Sequence, residues 1–232
     1  MSDARSRVRC QFPRVNMTNS QPAGAFQTEQ EKFWHGEFGS EYTERNTTDQ
    51  YVHENSVFFK KMFALAGGNP GSVLELGSNS GVNLRGISAI DANIALSAVE
   101  INPHAAEVLK SHLPKAEVFQ QSLLDLKTDK LCDLVFCKGV LIHINPEHLT
   151  QAYETLYRHS AKYVLVAEYY NISPMEMSYR GHTGKLYKRD FCGEIMAKYP
   201  DLTLIDYGFI YHRDAFYKNY DDVTWFLMKK GR

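Results

Sequence analysis

The segment Val73-Leu-Glu-Leu-Gly-Ser-Asn-Ser-Gly81 runs an apolar stretch straight into a turn that holds Gly77 and Gly81. Glycine there lets a ligand approach the backbone closely, and a helix beginning after it adds partial positive charge. Many nucleotide sites share such a turn. Glu100 narrows the choice. It ends the next apolar run, about 20 residues on, where an acidic residue of an open α/β sheet hydrogen-bonds ribose hydroxyls. A surface carboxylate that happens to end a strand is the plain alternative. Gln121-Ser122-Leu123-Leu124-Asp125 follows the third apolar run. An apolar residue beside a polar one can sandwich an adenine ring and bond its amino group, although Asp125 could simply cap a turn.

A second set of residues suits an acceptor. His143 follows the fourth strand-like run, and a neutral imidazole can take a proton near pH 7. A histidine there can equally line a pocket or cap a helix. Tyr179-Arg-Gly-His-Thr-Gly-Lys-Leu-Tyr-Lys-Arg189 is rich in basic residues. Arg180 could grip a carboxylate or phosphate bidentately, with Lys185, Tyr187 and Lys188 adding single bonds. Tyr169, Tyr170 and Tyr179 could line the same pocket. The alternative is a solvated basic loop. The stretch Phe33–Asn46 has the composition of a lid. Trp34, Phe38 and Tyr42 would cover a ligand, glycines would bend the chain, and Arg45 could pair with a carboxylate. The alternative is that these aromatics only pack the segment onto the core.

The elements that must position these residues can be read in turn. Short helical pieces are expected over Thr28–Asp49. Asp49 then serves as the N-cap of a helix over Gln50–Leu65, with Val52, Phe58, Phe59, Met62 and Phe63 on its apolar side. Strands are expected at Ser72–Leu76, Ile94–Glu100, Ala116–Gln120, Cys132–Cys137 and Tyr163–Glu168. Helices are expected at Gly81–Ala89, Pro103–His112 and Pro146–His159. This alternation implies a mostly parallel sheet covered on both faces. A polar loop over Tyr170–Tyr187, a helix near Arg189–Lys198 and a terminal hairpin of Leu202–Tyr211 with Val223–Lys229 complete the chain.

Taken together, Ser72 to Glu168 resembles the class I S-adenosylmethionine-dependent methyltransferases. Glu75–Gly81 resembles their first motif, Val99-Glu100 the second, Ser122–Asp125 the adenine-contact motif, and Phe136–Ile144 the fourth-strand motif. The resemblance implies a Rossmann-like α/β fold, with a seven-stranded mostly parallel sheet, an antiparallel last strand and an N-terminal helical lid. It implies S-adenosylmethionine as cofactor. Glu75, Gly77, Ser78, Asn79 and Gly81 would then border its methionine, Glu100 and Ile101 its ribose, and Ser122, Leu123 and Leu124 its adenine. Lys138 would meet the methionine amino group through its backbone carbonyl, and Trp34, Tyr42 and Arg45 would close over the whole. NAD enzymes usually carry a GxGxxG turn instead. Phe33–Asn46 resembles the start of methylases associated with pseudaminic acid biosynthesis. That closer resemblance implies a nonulosonic sugar acid, or its nucleotide form, as acceptor. Another small carboxylate or phosphonate, and a binding module without turnover, are the competing readings.

Composition sets the bounds. The 232 residues, 44% apolar with a formal charge of −1, allow one core and give no basic footprint for nucleic acid. No Asn-Pro-Pro-Tyr-type base-flipping motif follows the fourth run. No run is long enough to cross a bilayer, and no signal peptide is read. Cys10, Cys132, Cys137 and Cys192 show no CxxC pairing and fit small core residues of a reducing cytoplasm. The nine histidines lack metal-ligand spacing, so no metal is expected. The expected organisation is a disordered leader over 1–28 (with Met17 an alternative start), a helical lid over 29–70 and the cofactor-binding domain over 71–232.

Overall fold

The computed structural model describes residues 26–46 and 48–231. The expected leader, with Cys10 and Met17, falls outside them as far as residue 25. Thr28, assigned by sequence to that leader, instead caps the first helix. Its hydroxyl accepts from the Glu31 N–H, and the Glu31 carboxylate accepts from the Thr28 N–H. Helices α1 (Glu29–His35) and α2 (Glu37–Arg45) form an arm that bends at Gly36. In α3 (Asp49–Leu65) the cap position belongs to Thr48, and Asp49 is the first helical residue. Its carboxylate accepts from Arg85 at 2.7 Å. Phe58, Phe59, Met62 and Phe63 are buried as the helical spacing predicts, whereas Val52 is only half-buried.

The body alternates as expected: β1 (Ser72–Leu76), α4 (Val82–Ile90), β2 (Ala95–Val99), α5 (Pro103–His112), β3 (Glu117–Phe119), β4 (Cys132–Lys138), α6 (Leu149–His159) and β5 (Ser160–Glu168). Gly81 is the left-handed N-cap of α4, with φ of 79°, rather than its first residue. Residues 146–148 make a separate 3₁₀ turn before α6. After β5 come β6 (Met175–Tyr179), β7 (His182–Lys188), α7 (Phe191–Lys198), β8 (Leu202–Ile210) and β9 (Val223–Lys230).

The main sheet has seven strands in the order β3-β2-β1-β4-β5-β9-β8, and only β9 runs against its neighbours. Strand order reverses between β1 and β4, so the crevice of this open sheet lies at their carboxyl ends. Both faces are covered. One carries α3 and α4, with the rings of Phe59 and Phe136 4.9 Å apart. The other carries α6 and α7 over Val135, Cys137 and Val164. Cys132, Cys137 and Cys192 are free thiols inside these cores. No helix of the described residues is long and apolar enough to cross a membrane.

The stretch Tyr170–Tyr187, expected as a polar loop, is largely the hairpin β6–β7. Tyr179 pairs with His182 across a two-residue turn. Arg180 and Gly181 both adopt positive φ there, at 50° and 83°, as a type I′ turn requires. Arginine is an unusual residue for that conformation, and no Asn-Gly signal announces it.

Candidate active site

A cleft of about 710 Å³, mouth included, opens at the carboxyl ends of β1, β2 and β4. Its walls collect residues from the four motifs that follow β1 to β4 (Gly77, Glu100, Ile101, Ser122, Leu123 and His143), with Trp34 and Tyr42 from the arm, and none from Tyr179–Arg189. Gln121, Gly139 and Val140, from within the quoted motifs, also line it, as do Thr28, Gln30 and Glu31, which the sequence did not single out.

The floor is built by backbone. The Gly77 and Ser78 N–H groups donate to the Val99 carbonyl at 2.8 and 3.1 Å, which binds the first turn to the end of β2. Gly77 has φ of 77°, and a Cβ there would meet Val140 at 2.6 Å, so glycine is required twice over. Glu100 is buried in the wall. One carboxylate oxygen accepts from the Asn79 N–H at 2.6 Å and the other from the Asn102 N–H at 2.7 Å. Burial raises its pKa, against these two hydrogen bonds.

Other predicted residues support the floor without lining the cleft. Glu75 is fully buried and accepts from the Asn83 amide at 2.6 Å, while its second oxygen has no partner. Burial pushes its carboxyl up to about 8. Ser78 donates to the Glu75 carbonyl at 3.1 Å. The Asn79 side chain accepts from Thr43 of the arm at 2.8 Å, with φ of 46° at its own backbone. Leu124 turns into the core. The Lys138 ammonium sits 4.1 Å from the Tyr220 ring, near Glu75 and Glu168, and burial lowers its pKa to about 8.

The roof comes from elements distant in sequence. The Trp34 ring lies 4.7 Å from His143, 5.3 Å from Tyr42 and 6.3 Å from Tyr179. Tyr179 lies 4.9 Å from His143, so the hairpin reaches the same aromatic cluster. The His143 Nδ1 contacts the Lys185 carbonyl at 2.6 Å. A carbonyl can only accept, so Nδ1 carries the proton and Nε2 keeps a lone pair. Burial lowers the pKa of His143 to about 4, which keeps the ring neutral.

Two positioning residues escaped the sequence reading. Asn102 caps α5 through its carbonyl oxygen, and its amide reaches the carbonyls of Trp34, His35 and Gly36 at 3.0–3.1 Å. It therefore clasps the arm to the end of β2. Its Asn-Pro setting reads only as an ordinary helix start. Glu168 ends β5, and its carboxylate accepts from the Val140 and Leu141 N–H groups, each at 3.0 Å. It thus holds the turn that carries His143, and burial pushes its pKa up to about 7.

The remaining candidates are not gathered in the cleft. Arg45 pairs with Glu41 at 3.7 Å on the arm's surface. The Lys185 ammonium donates to the Glu29 carbonyl at 3.3 Å and lies over the Phe33 ring. Tyr169 donates to Asp221 at 2.5 Å, and Tyr170 is exposed beside Phe226. Tyr187 lies beside the Gln30 amide, and Arg180 lies over the Tyr179 ring at the exposed hairpin tip. Among the described residues no cluster of His, Cys, Asp or Glu could hold a metal ion.

Residues 73–162 match a family described as a methyltransferase domain. Several solved structures share the fold. One is the 1,6-didemethyltoxoflavin N1-methyltransferase of Burkholderia thailandensis, bound to 1,6-didemethyltoxoflavin and S-adenosylhomocysteine. It is 13% identical over 88% of this chain and 87% of its own, with a TM-score of 0.63. Another is the magnesium protoporphyrin IX methyltransferase of Synechocystis PCC 6803 with S-adenosylhomocysteine, 14% identical over 87% and 97%, at 0.64. The N-methyltransferase NodS of Bradyrhizobium japonicum WM9 is 13% identical over 83% and 98%, at 0.61. No curated protein matches the sequence. The fold is thus that of the Rossmann-like methyltransferases. Residues 73–162 match a methyltransferase domain, a kind of domain that uses S-adenosylmethionine, and the three similar structures all hold S-adenosylhomocysteine.

Proposed function

We propose that this protein transfers a methyl group from S-adenosylmethionine to a small anionic acceptor, a nonulosonic sugar acid of the pseudaminic type or its nucleotide form. One observation carries the methyltransferase reading. A single cleft joins the Gly77 turn, the Glu100 carboxylate, the Ser122-Leu123 pair and His143.

The residues present fit that cofactor. Glu100 offers carboxylate oxygens to ribose hydroxyls, and Ile101 and Leu123 offer apolar shelves to a purine. Two buried polar atoms of the wall, Trp34 Nε1 and Gln30 Oε1, lack a partner within the protein. Such atoms are costly unless a ligand satisfies them. The bound cofactor supplies an electrophilic methyl on a sulfonium. The chain's own part is to position, to exclude water and to accept a proton. The arm and hairpin cover the cleft with aromatic rings. His143 receives the acceptor's hydroxyl proton at Nε2 while Nδ1 remains bonded to Lys185. Arg180, one residue beyond Tyr179, reaches for the acceptor's carboxylate. The sugar-acid assignment rests on the resemblance of Phe33–Asn46 and on this basic hairpin.

The test is a thermal-shift series on the purified protein. S-adenosylhomocysteine is added first, then nonulosonic acids, their cytidine monophosphate forms and small phosphonates. A ligand at a hundredfold its Kd stabilises by about 2.7 kcal/mol. The expected result is a shift with S-adenosylhomocysteine and a further shift with a sugar acid. A further shift with phosphonates alone would replace the acceptor class. No shift with S-adenosylhomocysteine would overturn the methyltransferase reading.

A further inference from the structure

Gln30 lies on α1 at the wall of the cleft, and its side-chain amide has two differently occupied ends. The nitrogen donates to the Gly184 carbonyl of the hairpin at 2.8 Å, across 154 residues of sequence. A carbonyl accepts only, so this bond fixes which way the amide faces. The oxygen is buried and has no partner in the protein. The next hairpin residue, Lys185, supplies the carbonyl that holds His143 Nδ1 at 2.6 Å. Arm, hairpin and candidate base therefore meet within two consecutive peptide groups.

We infer that Gln30 is a positioning residue joining the cofactor to the base: its Oε1 accepts from a hydroxyl or amino group of the bound nucleoside, while its Nε2 latches the hairpin that orients His143. This rests on the methyltransferase reading above. An amide oxygen can only accept, so the matching ligand group is a donor, and a nucleoside supplies one from its ribose or its base. Satisfying Oε1 holds the amide plane still and with it the bond to Gly184. Cofactor occupancy thereby stabilises the docked hairpin and, through the Lys185 carbonyl, the orientation of His143.

The hairpin tip gives a readout that a purely structural role would not move. The Arg180–Gly181 bond is exposed in a two-residue turn, and a protease must straighten several residues on each side of it, which opens the β6–β7 pairing and strains the Gly184 contact. Trypsin cleavage is followed with and without S-adenosylhomocysteine, whose binding is measured separately by calorimetry. In the wild type, saturating S-adenosylhomocysteine should slow cleavage about tenfold, and adenosine should do the same where methionine does not. Gln30→Leu should bind S-adenosylhomocysteine about tenfold more weakly. At saturation its cleavage should stay at the ligand-free rate. Gln30→Met, which keeps the length of the side chain, stands in should the leucine variant fail to fold. Slowing preserved in the variants would overturn the inference. So would S-adenosylhomocysteine binding that leaves wild-type cleavage unchanged, with the methyltransferase reading intact. Slowing by methionine instead of adenosine would overturn the nucleoside contact. No binding at all would remove the methyltransferase reading and this inference together.

Discussion

The floor and the roof of the cleft are built by opposite means. The floor joins short turns that follow consecutive strands, and its bonds are mostly from backbone N–H groups: Gly77 and Ser78 to Val99, Asn79 and Asn102 to Glu100. The roof joins an arm and a hairpin far apart in sequence, and its contacts are rings and single side-chain bonds, such as Trp34 on His143 and Gln30 on Gly184. A floor of backbone bonds fixes the shape of one ligand. A roof of rings and side chains can be rebuilt for many acceptors on the same sheet. Two of the similar enzymes, which share this fold at 13–14% identity, carry names for quite different substrates, 1,6-didemethyltoxoflavin and magnesium protoporphyrin IX.

The contrast can be broken most sharply at Glu100 in the floor. Glu100→Ala removes a buried carboxylate that receives two short backbone bonds. Charge-assisted bonds contribute about 1.5–3 kcal/mol each. S-adenosylhomocysteine affinity should fall at least about a hundredfold by calorimetry. Affinity within a few-fold of wild type would remove Glu100 from the cofactor site. In the roof, His143→Ala should leave that affinity within about threefold and lower turnover about a hundredfold, the low end for a proton acceptor. Because burial holds His143 near a pKa of about 4, wild-type turnover should show no inflection at 6.5 and should decline only as pH falls towards about 4. An acid limb near 6.5 would assign the proton to another group.

The sequence made the floor readable because each turn follows its strand directly, so spacing alone places Gly77, Glu100 and Ser122 at one sheet edge. The terminal hairpin was legible from the missing crossover helix between its strands, and the seven-stranded sheet with one antiparallel member from the family resemblance. The roof was not. Met175–Tyr179 is nearly all exposed, so β6 carries no alternating apolar signal, and its Arg-Gly turn lacks the usual hairpin residues. Asn102 and Gln30 act through partners more than 60 residues away, which no local pattern reveals. Within the basic hairpin the Lys185 ammonium donates to the Glu29 carbonyl, and what Lys185 offers His143 is its main-chain oxygen, a role that composition does not reveal.

A smaller effect separates the floor from the roof by pH. The folded protein raises Glu75 to about 8 by burial, so below that pH it holds a proton that the unfolded chain releases near 4.5. This contribution is fully present below 4.5 and is lost as pH rises through about 8. Glu75→Gln mimics the neutral acid. Its stability relative to wild type should therefore rise between pH 5 and pH 9 in denaturant titrations. A relative stability independent of pH would show that Glu75 is ionised throughout.

The smallest expected effect lies at the hairpin tip. Arg180 is exposed, stands in a left-handed turn conformation and meets Tyr179 through a ring contact and a side-chain hydrogen bond. Both of these contacts are with the roof, so removing its charge should leave the floor as it is. An exposed guanidinium contributes about 1 kcal/mol or less to an ion pair. Arg180→Ala should therefore raise the acceptor's KM about three- to fivefold, with kcat and S-adenosylhomocysteine affinity unchanged. Arg180→Lys should recover only part of the loss if the acceptor group is a planar carboxylate held by two parallel bonds. Replacement by alanine also removes the side chain from a positive-φ site, so Arg180→Gly is the control for the turn itself. Equal KM values for Arg180→Ala and wild type would take the anion-binding role away from the hairpin tip. Recognition of the acceptor would then rest with the ring cluster around Tyr179 and His143.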